Sequence, residues 1–175
     1  MKKSVFISLL LLFASFTTIS AQRAGQKSLK QRIEDIEDRM ALKNLVDTFS
    51  TLSDTKEAEL QGELFTKDAT VKTYYNGQLL ADLKGRKQIA DTFGAYLGTL
   101  ESLYHINGQQ TITLKGNTAT GICYCQVTII EKHDGKRTIT MQGVRYQDEY
   151  QKINGRWYIK NRISNFMWRD TRNYQ

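Results

Sequence analysis

Few side chains in this chain can move a proton near neutral pH or act as soft nucleophiles. They are two histidines, His105 and His133, and two cysteines, Cys123 and Cys125. A neutral imidazole can exchange a proton near pH 7, so the histidines are the side chains whose type suits acid–base chemistry. His133 falls in a tight-turn sequence, residues 132–135, and is expected at the surface. His105 opens a β-rich run and is the better placed; its alternative reading is a strand histidine bonded to backbone. The cysteines are two apart in a strand-like run, so both thiols share one face with Cα atoms roughly 7 Å apart. That separation does not close a disulfide, and C-x-C is not the C-x-x-C of redox helices. Both are expected as buried, small apolar residues. No group of His, Cys, Asp or Glu has metal-ligand spacing, and there is no nucleophile elbow, P-loop or dinucleotide fingerprint. No metal and no cofactor is therefore expected.

Long strands must position these groups. Residues 111–114, 118–131, 137–150 and 156–166 are rich in Thr, Ile, Val, Tyr and Trp, which suit a pleated, half-buried surface. Gly116-Asn117, Asp134-Gly135 and Asn154-Gly155 separate them and supply the positive φ that tight hairpins need. Strands of about a dozen residues twist and curl, so a curved sheet with a concave face is expected. The chain has no proline, against a usual share of about 5%, so its turns fall to Gly, Asn and Asp.

The first half reads as helical. Leu29, Ile33, Ile36 and Met40 form one stripe; Leu42, Leu45, Val46, Phe49 and Leu52 form another on roughly the opposite face. The spacing predicts a lead-in helix ending near Asp38–Met40 and a second helix over 41–52, with the charged 33–39 segment available to a second subunit. Asp54-Thr55-Lys56-Glu57 has the form of a capping box opening a short helix over 55–65, ended by Lys67-Asp68. A strand over 69–75 closed by Asn76-Gly77 follows, then an amphipathic helix over 85–96. Helices before strands argue an α+β class, with helices stacked on one face of the sheet.

Lys2 and Lys3, the apolar run 5–16 and the small residues ending at Ala21 have the form of a secretory signal, with a run too short to span a membrane comfortably. Its removal takes the formal charge from +7 to +5, because Lys2 and Lys3 leave with it. About 154 residues remain, enough for one domain and too few for two. The expected organisation is a signal peptide at 1–21, a lead-in segment at 22–34, one domain at 35–169 and a tail at 170–175. The product is expected to be exported, to periplasm or medium, without a stable membrane anchor. The remaining positive residues, among them Lys43, Lys115 and Arg169, are scattered rather than striped, and an exported chain seldom meets nucleic acid, so no nucleic-acid partner is expected.

Several local motifs then point to a known family. These are Asp38-Arg39-Met40-Ala41-Leu42-Lys43-Asn44-Leu45-Val46 followed by Asp54, Leu64-Phe65-Thr66-Lys67-Asp68-Ala69 before a strand, and Gly85-Arg86-Lys87-Gln88-Ile89 opening a helix. His105 before 112–117, and Gly155-Arg156-Trp157-Tyr158-Ile159 near the end, complete the set. In order and spacing, over about Asp35 to Arg169, the chain resembles the SnoaL-like families of the superfamily named after nuclear transport factor two. The resemblance implies a cone-shaped, strongly curved antiparallel sheet wrapped around N-terminal helices, in a single domain with a pocket at the wide end. That superfamily holds scytalone dehydratase, ketosteroid isomerase and bile-acid dehydratase relatives, and also members that only bind or dimerise.

The dehydratase-like members carry a tyrosine and, five residues later, an aspartate; this sequence has Phe49 and Asp54 at that spacing. The resemblance further implies a tyrosine from the early strand (Tyr74, or Tyr75), a histidine at His105, and a polar residue of the next long strand. Gln126 fits that last place, with Tyr124 on the same side of the pleat. Such a set implies a pocket for a small hydrophobic or cyclic, hydroxylated or keto molecule, with His105, Asp54 and Tyr74 catalytic and Phe49, Tyr124 and Gln126 against the substrate. His105 would act as base in an elimination or isomerisation, Asp54 would fix its tautomer, and a tyrosine hydroxyl would bond the developing enolate. The other implied reading is a non-catalytic binding or dimerisation domain, favoured by the missing hydroxyl at Phe49. Phe166, Met167 and Trp168 near the end of the chain are expected to close the cone or to form part of a homodimer face.

Overall fold

The computed structural model describes residues 27–175; the expected leader at 1–21 and the first residues of the lead-in lie outside them. Two units are distinguished, the first ending at Asp38 and the second running from Arg39 to Gln175. Ser28, in the first, caps helix α1 (Leu29–Asp54). The Gln31 N–H donates to Ser28 Oγ at 3.2 Å and the Ser28 N–H donates to Gln31 Oε1 at 2.9 Å. This reciprocal pair is a capping box. The expected break near Asp38–Met40 is absent, since α1 is continuous. Its two apolar stripes differ in burial instead: Leu29, Ile33, Ile36 and Met40 are exposed, while Leu42, Leu45, Val46 and Phe49 are buried.

Asp54 is the last residue of α1 rather than the cap of the next helix. Lys56 adopts a φ of 61°, and its N–H returns to the Ser53 carbonyl at 3.0 Å, which closes the helix. The following helix, α2 (Ala58–Gly62), is shorter than expected and Glu57 makes no side-chain cap to it. Lys67 and Asp68 do not end a helix, because β1 (Phe65–Tyr75) has already begun. The reason is tertiary: the Ile159 N–H claims the Leu64 carbonyl at 2.9 Å and Phe65 is fully buried. Burying a phenylalanine is worth about 1.5–3 kcal/mol, more than the helix propensity of two residues.

Strand β2 (Gln78–Lys84) returns through Asn76-Gly77, and α3 (Arg86–Thr99) follows Gly85, whose φ of 83° suits only glycine. Then come β3 (Ser102–Lys115), β4 (Thr118–His133), β5 (Lys136–Ile153) and β6 (Arg156–Tyr174), all longer than the sequence predicts. The expected tail at 170–175 is thus mostly strand: Asp170–Tyr174 continue pairing with β5. The sheet order is β2-β1-β6-β5-β4-β3. Neighbours are antiparallel except β1 and β6, which run parallel. The α+β class and the curved, mostly antiparallel sheet agree with expectation; β1 and β6 add one parallel pair to it.

Register breaks at Thr73/Tyr74, Asn107/Gln110, Gly143/Val144 and Glu149/Tyr150 are where the long strands bend. The inner face of the sheet joins α1 and α3 in the core. Phe49 makes edge-to-face contacts with Phe65, Phe93 and Tyr146, with ring centroids 6.0–6.1 Å apart. Cys123 and Cys125 are free and buried on this face, as expected. Burial raises their thiol pKa values to about 11 and about 12.

Candidate active site

Helix α1 ends beside β3, and that meeting places Asp54 against His105. His105 Nδ1 lies 2.6 Å from Asp54 Oδ1, and the His105 backbone N–H donates to Asp54 Oδ2 at 3.1 Å. A carboxylate only accepts, so Nδ1 carries the proton and Nε2 is left as the ring's acceptor. The imidazole is buried, with 6% of its side chain accessible. Burial lowers the His105 pKa below its ordinary value; Asp54 acts against that shift without cancelling it, and the Arg162 charge adds to it. The ring is therefore neutral and able to accept a proton at pH 7.

His105 lines a partly open cavity of about 390 Å³ between the sheet and the helices. Its wall is mostly apolar: Val71 and Leu83 from β1 and β2, Phe93 and Leu97 from α3, Val127 and Ile129 from β4, Phe166 from β6. Polar side chains interrupt it at Ser53, Gln61, Gln142, Tyr146, Ser164 and Arg169. Gln61 is fully buried; its Nε2 donates to the Phe49 carbonyl at 3.0 Å, while Oε1 has no partner. Tyr146 is buried beside Phe49, no hydrogen bond from the described residues engages its hydroxyl, and burial holds its pKa far above the usual value. It is a neutral donor at any physiological pH.

Behind these rings lies a charged pair. Arg162 is fully buried and donates through Nε and Nη2 to both oxygens of Asp148, at 2.8 and 2.7 Å. Tyr150 donates its hydroxyl to the same carboxylate at 2.8 Å. The Arg162 guanidinium also sits between the faces of Phe49 and Tyr146, at 4.2 and 4.3 Å from their centroids. Burial weighs against that charge, but Asp148 outweighs it and keeps the guanidinium ionised.

Of the residues singled out from sequence, His105, Asp54 and Phe49 come together. The other three do not. Tyr124 and Gln126 are exposed on the outer face of β4, because Cys123, Cys125 and Val127 take the inner one. Tyr74 follows the register break in β1 and is absent from the cavity wall, where Thr73 stands instead. Tyr75 lies under the Arg169 guanidinium, 5.2 Å from ring centroid to its central carbon. His133 is exposed, as expected. Sequence reasoning missed Tyr146, Gln61 and the Arg162–Asp148 pair. Strand alternation from the buried cysteines was the available signal for Tyr146, since Cys123 pairs with it across β4 and β5.

Comparison with known proteins follows the same line. A family model described as a SnoaL-like domain matches residues 34–163. A candidate scytalone dehydratase of Novosphingobium aromaticivorans superposes with a TM-score of 0.67 at 20% identity, covering 81% of this chain and 90% of that one. A candidate aromatic ring hydroxylase, also from Novosphingobium aromaticivorans, gives 0.67 at 22% identity over 79% and 94%. Hexachlorocyclohexane dehydrochlorinase LinA-type3 of Novosphingobium barchaimii gives 0.68 at 12% identity over 81% and 94%. At these identities the structural likeness establishes the fold alone.

Proposed function

Since the chain belongs to the SnoaL-like domain family, we propose that it is a cofactor-independent lyase or isomerase acting on a small cyclic, hydroxylated or keto molecule. The observation that carries this reading is the 2.6 Å contact of His105 Nδ1 with Asp54, on a neutral ring that lines an apolar cavity. Two of the similar structures bear names that denote elimination, a candidate scytalone dehydratase and a hexachlorocyclohexane dehydrochlorinase.

The chemistry proceeds from Nε2. It removes a proton from the carbon next to a carbonyl, and the C–H electron pair moves into an enolate. Asp54 stabilises the imidazolium that forms. Collapse of the enolate breaks the C–O bond of a β-hydroxyl, and the imidazolium proton leaves with it as water. In an isomerisation the same proton returns to another carbon. Tyr146 takes the part of the enolate donor that Phe49 lacks. A base and a donor of this kind are worth about 10²–10⁴-fold and 10²–10³-fold in rate.

A second reading, a non-catalytic binding domain, is favoured by Phe49 alone, which puts a ring without a hydroxyl at the expected tyrosine. Thermal-shift screening against cyclic hydroxy-ketones, followed by turnover of the hits, separates the two. Catalysis predicts hits that are converted by the wild type and still bound but unconverted by His105→Ala. Hits that wild type binds without conversion leave the binding domain. Residues 1–21 support export of the mature chain, and the exposed stripe Leu29, Ile33, Ile36 and Met40 supports a homodimer.

A further inference from the structure

One cation, Arg169, stands on the mostly apolar cavity wall. Arg169, on β6, is itself exposed, and its Nε donates to the Oε1 of buried Gln142 at 3.3 Å. Its guanidinium carbon lies 5.2 Å from the centroid of the Tyr75 ring. The plane is thereby held on one edge by an amide and on one side by an aromatic ring. Nη1 and Nη2 donate no hydrogen bond to the described residues, and none of their carboxylates forms an ion pair with Arg169. Other arginines of this unit are committed elsewhere: Arg86 to Glu63, Arg137 to Glu101, Arg162 to Asp148. A guanidinium whose fork is fixed in place and whose outer donors are free is organised for an oxyanion, which it can bind through two parallel hydrogen bonds.

We infer that Arg169 anchors an acidic group of the ligand, so that the cavity takes an amphipathic molecule with an apolar ring body inside and a carboxylate or similar oxyanion at the Arg169 end. This rests on the cavity being a small-molecule site. Gln142 is a positioning residue in this arrangement: it orients the fork without touching the ligand's acid. The anchor also sets the direction of entry, ring first, which brings the body of the ligand to His105.

Two fluorescent probes with one ring system test it: 8-anilinonaphthalene-1-sulfonate, which carries an oxyanion, and N-phenyl-1-naphthylamine, which does not. Each is titrated into the wild-type protein, Arg169→Gln, Arg169→Lys and the cavity-filling Val127→Trp, with Ser164→Phe as a second filled cavity should the first variant not fold. The expected result is that Arg169→Gln weakens the sulfonate by about tenfold, as loss of charge-assisted hydrogen bonds predicts. Arg169→Lys recovers part of that loss, the neutral dye is unaffected by either change, and cavity filling removes both dyes. Should filling the cavity remove both dyes while Arg169→Gln leaves the sulfonate untouched, the cavity reading stands and the anchor is overturned. If filling the cavity leaves both dyes bound, the small-molecule site itself fails and the anchor with it.

Discussion

At the scale of single residues, the decisive fact is which proton His105 carries. Asp54 fixes it on Nδ1, and burial keeps the ring neutral below its ordinary pKa of 6.5. The rate for a converted substrate should therefore stay level from pH 8 down past 6.5 and fall only on a more acid limb. A kcat/KM profile whose limb lies above 6.5 would contradict this. Stability follows the same group. In the window below 6.5 the unfolded chain takes the proton and the folded chain does not. The contribution of His105 is thus complete above 6.5 and is lost as pH falls through that value toward the lower folded one. Thermal melts of wild type and His105→Gln should differ in slope only in that acid window. The thiols give a separate check, since their pKa values of about 11 and about 12 leave almost no thiolate at pH 8. Cys123 and Cys125 should react with a disulfide reagent only after denaturation.

Among the elements, β4 governs the site more than its own side chains suggest. Its alternation turns Cys123, Cys125, Val127 and Ile129 inward and Tyr124 and Gln126 out. The sequence already held this answer, because two buried thiols at 123 and 125 oblige 124 and 126 to face the other way. Reading Gln126 as a pocket residue was one register step from the truth. Strand length was less legible: β3 and β6 run well past their β-rich segments, β3 back through Asn107 and β6 on through Asp170 and Asn173, because backbone pairing rewards residues whose own propensity is poor. Close strand approach also has a cost that can be measured. A Cβ at Gly121 would lie 3.0 Å from the Thr111 carbonyl and 2.7 Å from Ile112 Cδ1. Gly121→Ala should destabilise the protein by about 1–3 kcal/mol in denaturant unfolding, with the m-value unchanged.

For the molecule as a whole, Arg162 and Asp148 tie β5 and β6 together behind the cavity. With both side chains almost fully buried, removing one partner leaves the other's charge stranded. Asp148→Asn should cost about 3–5 kcal/mol, whereas replacing both by apolar residues of similar volume should cost much less. A double-mutant cycle reads the difference directly. If the proposed homodimer forms through the exposed α1 stripe, sedimentation velocity should show a dimer that Ile36→Glu converts to monomer without a change in melting temperature.

The chain by itself determined that the helices precede the four long strands, the hairpin turns at Asp134-Gly135 and Asn154-Gly155, and the facing of the thiols, since turn chemistry and side-chain period are local properties. It also marked out His105 by scarcity and Asp54 by position. It did not determine that Asp54 closes one helix instead of opening another, because both roles place the same carboxylate at a helix boundary and only the approach of β3 supplies the imidazole that holds it. Nor did it reveal Tyr146 and Arg162 as neighbours of Phe49. Those contacts join residues far apart in the chain, and long-range pairing leaves no mark on the composition or period of either partner; it exists only once the sheet has curved and the strands have taken their register.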